Sequence, residues 1–530
     1  MARYLTMLIA ALLTLASILT AAFTFPLSWI PAAAFGALFI VGIWDLSQRR
    51  HSLLRNYPIL GHMRWLFEGI RPEIRQYLVE SDVDAVPFSR EKRSLVYQRA
   101  KDEVDSVPFG TELDVYEAGF SWITHSMQPK PAPHHDFRVS IGGPDCVSPY
   151  NASIYNISAM SFGSLGANAI RALNTGAKLG NFAHDTGEGS ISRYHRAGGG
   201  DLIWQIASGY FGCRTAEGRF DPKRFKDQAA DNQVKMIEIK LSQGAKPGHG
   251  GVLPGTKVTR EISEARGIPI GVTCISPSGH NAFSTPLEFV AFIQQLRELS
   301  GGKPVGFKLC VGHPWEFLAI VKAMVETGIT PDYIVVDGKE GGTGAAPLEF
   351  LNRVGTPLVE GLTFVNNALI GAGLRDRVRI GAAGKVITAF DIVWAMGLGA
   401  DWCNSARGFM FALGCIQAQA CHTNRCPVGI ATQDPIRQRA LVVEDKAKRV
   451  AAFHRNTLEA LADVVSSAGL DDPAAIESTM LQVRQKTGDV IPANEAYPLL
   501  AEGELLAGTD NPMFRKYWAL ARSETFAPAT

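Results

Sequence analysis

From Tyr4 to Trp44 the chain carries no charged residue, and roughly 20 apolar residues suffice for one helical crossing of a bilayer. Pro26 and Pro31 interrupt the run, so the pattern predicts helices near 5–22 and 32–44, a two-helix transmembrane hairpin with Trp29 and Trp44 as interfacial aromatics. The second helix is short unless it borrows residues from the turn. Arg49, Arg50, Arg55 and Arg64 follow it while the turn holds no Lys or Arg, which places both flanks and the bulk of the chain on the cytoplasmic side. The competing reading, a cleaved signal peptide ending near Ala21 and Ala22, does not account for the second apolar run.

The pattern then changes. Residues 47–129 are mixed and polar and read as short helices, after which short β-branched runs alternate regularly with longer amphipathic ones. Eight short runs predict strands at 154–160, 181–185, 236–241, 268–275, 305–311, 333–337, 378–382 and 402–405. Eight β/α units over roughly 250 residues match a (β/α)8 TIM barrel, an α/β fold whose chemistry sits at the C-terminal ends of its strands. The expected organisation is a hairpin over 1–48, a mainly helical segment over 49–135, the barrel over 136–440 and a helical C-terminal segment over 441–530. No internal repeat or low-complexity tract is evident.

The predicted strand ends carry the unusual residues. Ser158, Ala159, Met160 and Ser161 close the first run, and Thr186-Gly187-Glu188-Gly189 follows the second. Gln243 to Gly248, including Lys246, follows the third; the fifth contains Lys308; the sixth leads into Gly341, Gly342, Thr343 and Gly344. Gly384 and Lys385, then Arg407 and Gly408, end the last two, the pair of loops that most often holds a phosphate in this fold. Glycine lets backbone N–H groups approach an anion. A single such loop is as often only a turn, whereas six at one end of a barrel argue for a phosphorylated cofactor. No Gly-x-Gly-x-x-Gly opens a βαβ unit, so a dinucleotide on a Rossmann unit is not indicated, whereas a mononucleotide in the barrel mouth is, and FMN fits. Strand alternation puts Phe307 and Leu309 under the helices and Lys308 inside the barrel, where it suits negative charge on a reduced flavin; the bland alternative is a frayed, solvated strand end.

Composition narrows the class. With 46% hydrophobic residues, 52 Lys+Arg and 51 Asp+Glu, the 530-residue chain can bury a large core and has no charge excess aimed at nucleic acid. Eight cysteines are too few for a disulfide scaffold and point to a reducing compartment. Cys415, Cys421 and Cys426, spaced Cys-x5-Cys-x4-Cys before Pro427, suit three thiolate ligands of a cluster, with three packed thiols as the alternative. Cys403 is either a fourth ligand or core, and Cys146, Cys213, Cys274 and Cys310 read as small buried hydrophobes.

Together these stretches resemble the FMN-binding synthase domain of glutamate synthase, from Ser153 to about Leu470. The matching segments are Ser158 to Gly163, Thr186 to Gly189, Gln243 to Gly248, Leu253 to Gly255, Gly341 to Gly344 and Cys421 to Gln433. The resemblance implies an FMN barrel with a [3Fe-4S] cluster on Cys415, Cys421 and Cys426, and an oxidoreductase that reduces 2-iminoglutarate, formed from 2-oxoglutarate and ammonia, to L-glutamate. It also implies that Glu188, Lys246 and Arg266 handle the oxo acid and its imine. The residue types agree: cations for a dicarboxylate and a carboxyl as proton donor to nitrogen. From position alone, Glu188 and Lys246 could equally be solvated charges in turns, and Arg266, just before Gly267, a solvated helix-end charge.

Three positions depart from that family's pattern. His249 stands in place of a Glu, Val252 in place of a polar residue and Asp185 in place of an Asn, which weakens 2-oxoglutarate more than the barrel chemistry. The alternatives are a related amine or oxo-acid oxidoreductase, such as an N-methylglutamate synthase-like enzyme, and a non-catalytic membrane electron-transfer subunit. An amidotransferase domain with an N-terminal Cys nucleophile is not expected, since an apolar run without Cys occupies residues 4–44. Nitrogen is therefore expected from ammonia, an amine or a separate amidotransferase subunit, and electrons from a ferredoxin-like or membrane donor.

Overall fold

The computed structural model describes residues 4–48, 51–83, 86–132 and 134–529, and the chain divides into two compact units, Met1–Val86 and Pro87–Thr530. In the first, α1 (Leu5–Phe23) and α2 (Trp29–Ser47) pack side by side around the short turn Pro26–Ser28. The second helix does borrow from the turn. Pro31 falls in its first turn, where a missing N–H has no intrahelical partner to lose. Both helices are long and apolar enough to cross a membrane, and they expose large side chains such as Leu12 (66%) and Ile40 (66%). Arg49 and Arg50, on which the sidedness argument partly rests, lie outside the described residues. Asp45, in the last turn of α2, is fully buried. It accepts a hydrogen bond from the Ile59 backbone N–H (2.8 Å) and pairs with His62 Nε2 (2.9 Å). The helix α3 (His62–Ile74) starts at that clasp.

The second unit is built on a closed, all-parallel eight-stranded barrel. Its strands are β1 (Tyr155–Ile157), β2 (His184–Asp185), β3 (Leu202–Ile206), β4 (Val234–Lys240), β5 (Val305–Leu309), β6 (Tyr333–Asp337), β7 (Arg379–Ala383) and β8 (Trp402–Ser405). Seven coincide with predicted runs and one does not. Residues 268–275 are not a barrel strand: Gly267 and Gly271 take positive φ, Pro269 has no donor, and Ile270 and Val272 are exposed. Only Cys274–Ile275 is extended there, in an antiparallel pair with Val252–Leu253 above the mouth. The missing strand is β3, Leu-Ile-Trp-Gln-Ile, five buried residues in which Gln205 disguised a continuous run.

The barrel closes where β8 pairs with β1, Cys403 beside Tyr155. Cys403 is fully buried in that strand and belongs to the core. Helices such as Pro286–Leu299 and Pro314–Thr327 bury apolar faces against the strands. Beyond the barrel, α4 (Val443–Ser467) packs on the helix Ala167–Leu179. The C-terminal segment is not wholly helical. Leu481–Arg484 and Val490–Pro492 join Ser121–Ile123 in a small antiparallel sheet. At the barrel base a buried pair fixes geometry: Asp332 accepts from Arg297 Nε and Nη2 (both 3.2 Å), the Val305 N–H (2.8 Å) and the Gly143 N–H (2.7 Å).

Candidate active site

Two adjoining cavities open at the C-terminal ends of the strands, sharing Ala159, Gln243, Lys308, Gly342, Ala406 and Arg407 in their walls. One is lined further by Ser158, Gly341, Gly384 and Lys385, the loops expected to hold a phosphate. The other is lined by Met160, Ser161, Glu188, Lys246, Thr343 and Cys421. The fold thus gathers nearly all the sequence-derived cofactor residues in one mouth. Gly408 lies behind it, buried in the helix Arg407–Ala412.

Glu188 sits in a cluster of cations. Its Oε2 accepts from Lys240 Nζ at 3.0 Å. Burial raises its pKa, but Lys240 and Arg266 more than offset this, so the group is held below the ordinary carboxylate range and is ionised at neutral pH. Lys246 is 5% exposed, and burial lowers its pKa. Gly251 packs on the Glu188 carboxylate so closely that a Cβ there would overlap it. Arg266 is not the solvated helix-end charge its position suggests. It is 3% exposed, donates from Nη2 to Phe162 O (3.1 Å), and lies 5.0 Å from the centre of the Phe211 ring. It does not line the mouth; it acts on it through Glu188 and the Ser161 loop.

Below the mouth, strand alternation turns Glu238 and Lys240 of β4 inward, while Ile237 and Ile239 face the helices. Gln205 Nε2 donates to Glu238 Oε2 at 2.6 Å. Lys308 is 5% exposed, with its Nζ 3.8 Å from Asp337. Burial opposes its charge, yet Asp337, Glu238 and Asp185 together raise its pKa. Burial, and then Glu238, push Asp185 well up; burial also raises Glu238. Lys308 is therefore a fixed cation over a floor containing protonatable carboxyls, not a solvated strand end.

Cys415 and Cys426 are buried and Cys421 is half-buried, and all three are free thiols. Among the described residues no three His, Cys, Asp or Glu side chains are gathered as a metal-ion site. The cysteine loop is nevertheless tied to the mouth. Arg407 Nη1 lies 3.9 Å from Cys421 Sγ while its Nη2 donates to Thr343 O (2.7 Å). Lys257 Nζ donates to the carbonyls of Cys421 (2.9 Å), Ala431 (3.0 Å) and Ser164 (3.2 Å). Sequence reasoning missed Lys240, Gln205 and Lys257. The Glu-x-Lys alternation between isoleucines in β4 was a readable sign that charges point into the barrel. Of the departures, Val252 lines the mouth, whereas His249 packs edge-on against Phe350 at 5.3 Å.

Residues 147–471 match the family model described as the conserved region in glutamate synthase. The glutamate synthase large subunit-like protein YerD of Bacillus subtilis is 37% identical over 503 residues, covering 87% of this chain and 95% of that protein. The archaeal-type glutamate synthase [NADPH] of Thermotoga neapolitana is 36% identical over 323 residues, 60% of this chain and 59% of that one. Among solved structures, a flavocytochrome b2 mutant with pyruvate bound aligns over 79% of this chain and 85% of its own, at 12% identity and a TM-score of 0.42. The chain belongs to the glutamate synthase family and is an oxidoreductase of that type.

Proposed function

We propose, taking that membership as the premise, that the barrel binds FMN and reduces the imine of 2-oxoglutarate and ammonia to L-glutamate. The observation that carries this reading is Glu188 set among Lys240, Lys246 and Arg266 at one end of a mouth whose other end is made of glycine-rich loops. The donor set fits FMN: loops after β7 and β8 with Lys385 and Arg407 suit its phosphate, and Lys308 suits charge on its ring. When bound, the flavin supplies hydride. The chain's own residues bind and protonate. Lys246 holds a substrate carboxylate or donates a proton from Nζ, its acidity increased by burial; Glu188, ionised rather than the proton donor expected from the sequence, accepts a proton from the incoming nitrogen.

For a [3Fe-4S] cluster, support comes from three free thiols on one loop, with Arg407 Nη1 3.9 Å from Cys421 Sγ and Lys257 Nζ on the Cys421 carbonyl to offset thiolate charge. The apolar α1 and α2 support a membrane tether with the barrel on the cytoplasmic side. Val252, exposed in the mouth where a polar residue was expected, favours a second reading in which another amine or oxo acid is used. The test is turnover by the chemically reduced protein. Glutamate formed from 2-oxoglutarate plus ammonium supports the reading, with Lys246→Ala slower and flavin retained. Turnover only with other oxo acids or amines selects the second reading. Efficient use of glutamine plus NADPH by the chain alone refutes the expectation of separate nitrogen and electron donors.

A further inference from the structure

The helix α3 (His62–Ile74) and the turn Arg75–Val79 that continues it have no role in the barrel chemistry. At 100° per residue, Met63, Leu66, Phe67, Ile70 and Ile74 of the α-helix fall within a single sector of roughly 100°. None of them is covered: Leu66 is 60% exposed, Phe67 53% and Ile70 40%. Arg64, Arg71 and Arg75 line one border of that sector, and of the helix's acids Glu68 is paired to Arg64 at 2.9 Å. A wide apolar face with arginines at its edge suits the boundary between headgroups and acyl chains.

The position of the helix supplies the occupant. Its first residue, His62, is clasped to Asp45 in the last turn of α2, and Thr6 near the start of α1 donates to Pro58 O at 2.9 Å. The segment leading into α3 is thereby held at the shared end of both apolar helices. Trp65 stands on the other side of α3, edge-on to the His51 ring at 5.5 Å. We infer that α3 lies in the surface of the bilayer crossed by α1 and α2, its apolar face among acyl chains and its arginines on anionic headgroups. This rests on the reading of α1 and α2 as membrane-spanning. The helix then acts as an outrigger that fixes how the chain leaves the membrane.

The full-length protein is reconstituted in vesicles of three parts phosphatidylcholine to one part phosphatidylglycerol, with the photoreactive residue p-benzoylphenylalanine placed singly at Ile40, Phe67, Ile70 or Glu68. Irradiation followed by mass spectrometry distinguishes lipid adducts from protein cross-links. The expected result is lipid adducts from Ile40, Phe67 and Ile70, several-fold above those from Glu68. Adducts from Ile40 with none from Phe67 and Ile70, or protein cross-links from those two, overturn the inference and leave the spanning hairpin standing. Adducts from Phe67 and Ile70 without Ile40 support a surface helix and overturn the spanning reading; no lipid adduct at any position overturns both.

Discussion

Lys240→Met tests how the Glu188 end of the mouth is charged. Lys240 and Glu188 are 12% and 15% exposed and 3.0 Å apart. The gross attraction at an effective dielectric near 20 is about 5 kcal/mol. The net loss is smaller, because removing one partner of a buried pair costs about 3–5 kcal/mol, and Lys246 and Arg266 still hold Glu188. A cost of about 3 kcal/mol is expected, equivalent to roughly 100-fold in kcat/KM if it falls on the transition state. The sign in pH follows from the depressed pKa of Glu188. Its ionised form contributes stability above the ordinary carboxylate range, lost as pH falls toward the lowered value. Without Lys240 the carboxylate protonates at higher pH, so the acid limb of the rate profile moves up while flavin content is unchanged. The assay is turnover of the reduced enzyme against pH. An acid limb that does not move, with turnover at the wild-type level, would refute the assignment of Lys240 as the cation that holds Glu188 ionised.

Asp332→Ala removes the acceptor of four hydrogen bonds at the barrel base and leaves the buried Arg297 charge without its carboxylate, held only by the Thr330 carbonyl and Gln294; a loss of about 3–5 kcal/mol in urea unfolding is expected, and a loss under about 1 kcal/mol would contradict the buried-pair argument. Asp185→Asn removes a carboxyl whose raised pKa makes its contribution to stability fall as pH rises through that value. The variant should melt about 2–4 °C higher than wild type at pH 8 and no higher at pH 4, and an equal difference at both pH values would show that titration is not the cause. Cys421→Ser should remove iron from anaerobically purified protein while FMN stays bound, and unchanged iron content would exclude Cys421 as a ligand.

Periodicity reveals only elements whose burial follows a simple rule. The (β/α)8 barrel was legible because seven strands are short apolar runs bounded by turn residues. The eighth failed in two linked ways: Gln205 broke the apolar run of β3, and the β-branched residues of 268–275 imitated a strand although two glycines and a proline prevent it from pairing in the barrel. That Glu188, Lys246 and Lys308 would line the mouth was legible from strand-end position. The environment of Arg266 was not, since a helix-end arginine reads as solvated until Phe211 and the Phe162 carbonyl are seen beside it. The sheet joining Ser121–Ile123 to Leu481–Arg484 is a pairing across most of the chain, and local patterns carry no information about such partners.

The seam between β8 and β1 joins positions about 250 residues apart in the chain, Cys403 beside Tyr155. Closing a flexible loop of that length costs about 5 kcal/mol of chain entropy before any contact rewards it. The shared wall of the mouth straddles this seam, with Ala159 on one side and Ala406 and Arg407 on the other. During synthesis the first half of the wall therefore waits for the second. A chain cut anywhere before Arg407 does not possess a weaker version of the mouth; it possesses none. A ligand that bridges the two sides draws on its binding energy to keep the ring shut, so loss of that ligand should first be felt as opening between the earliest and the latest strands of the barrel.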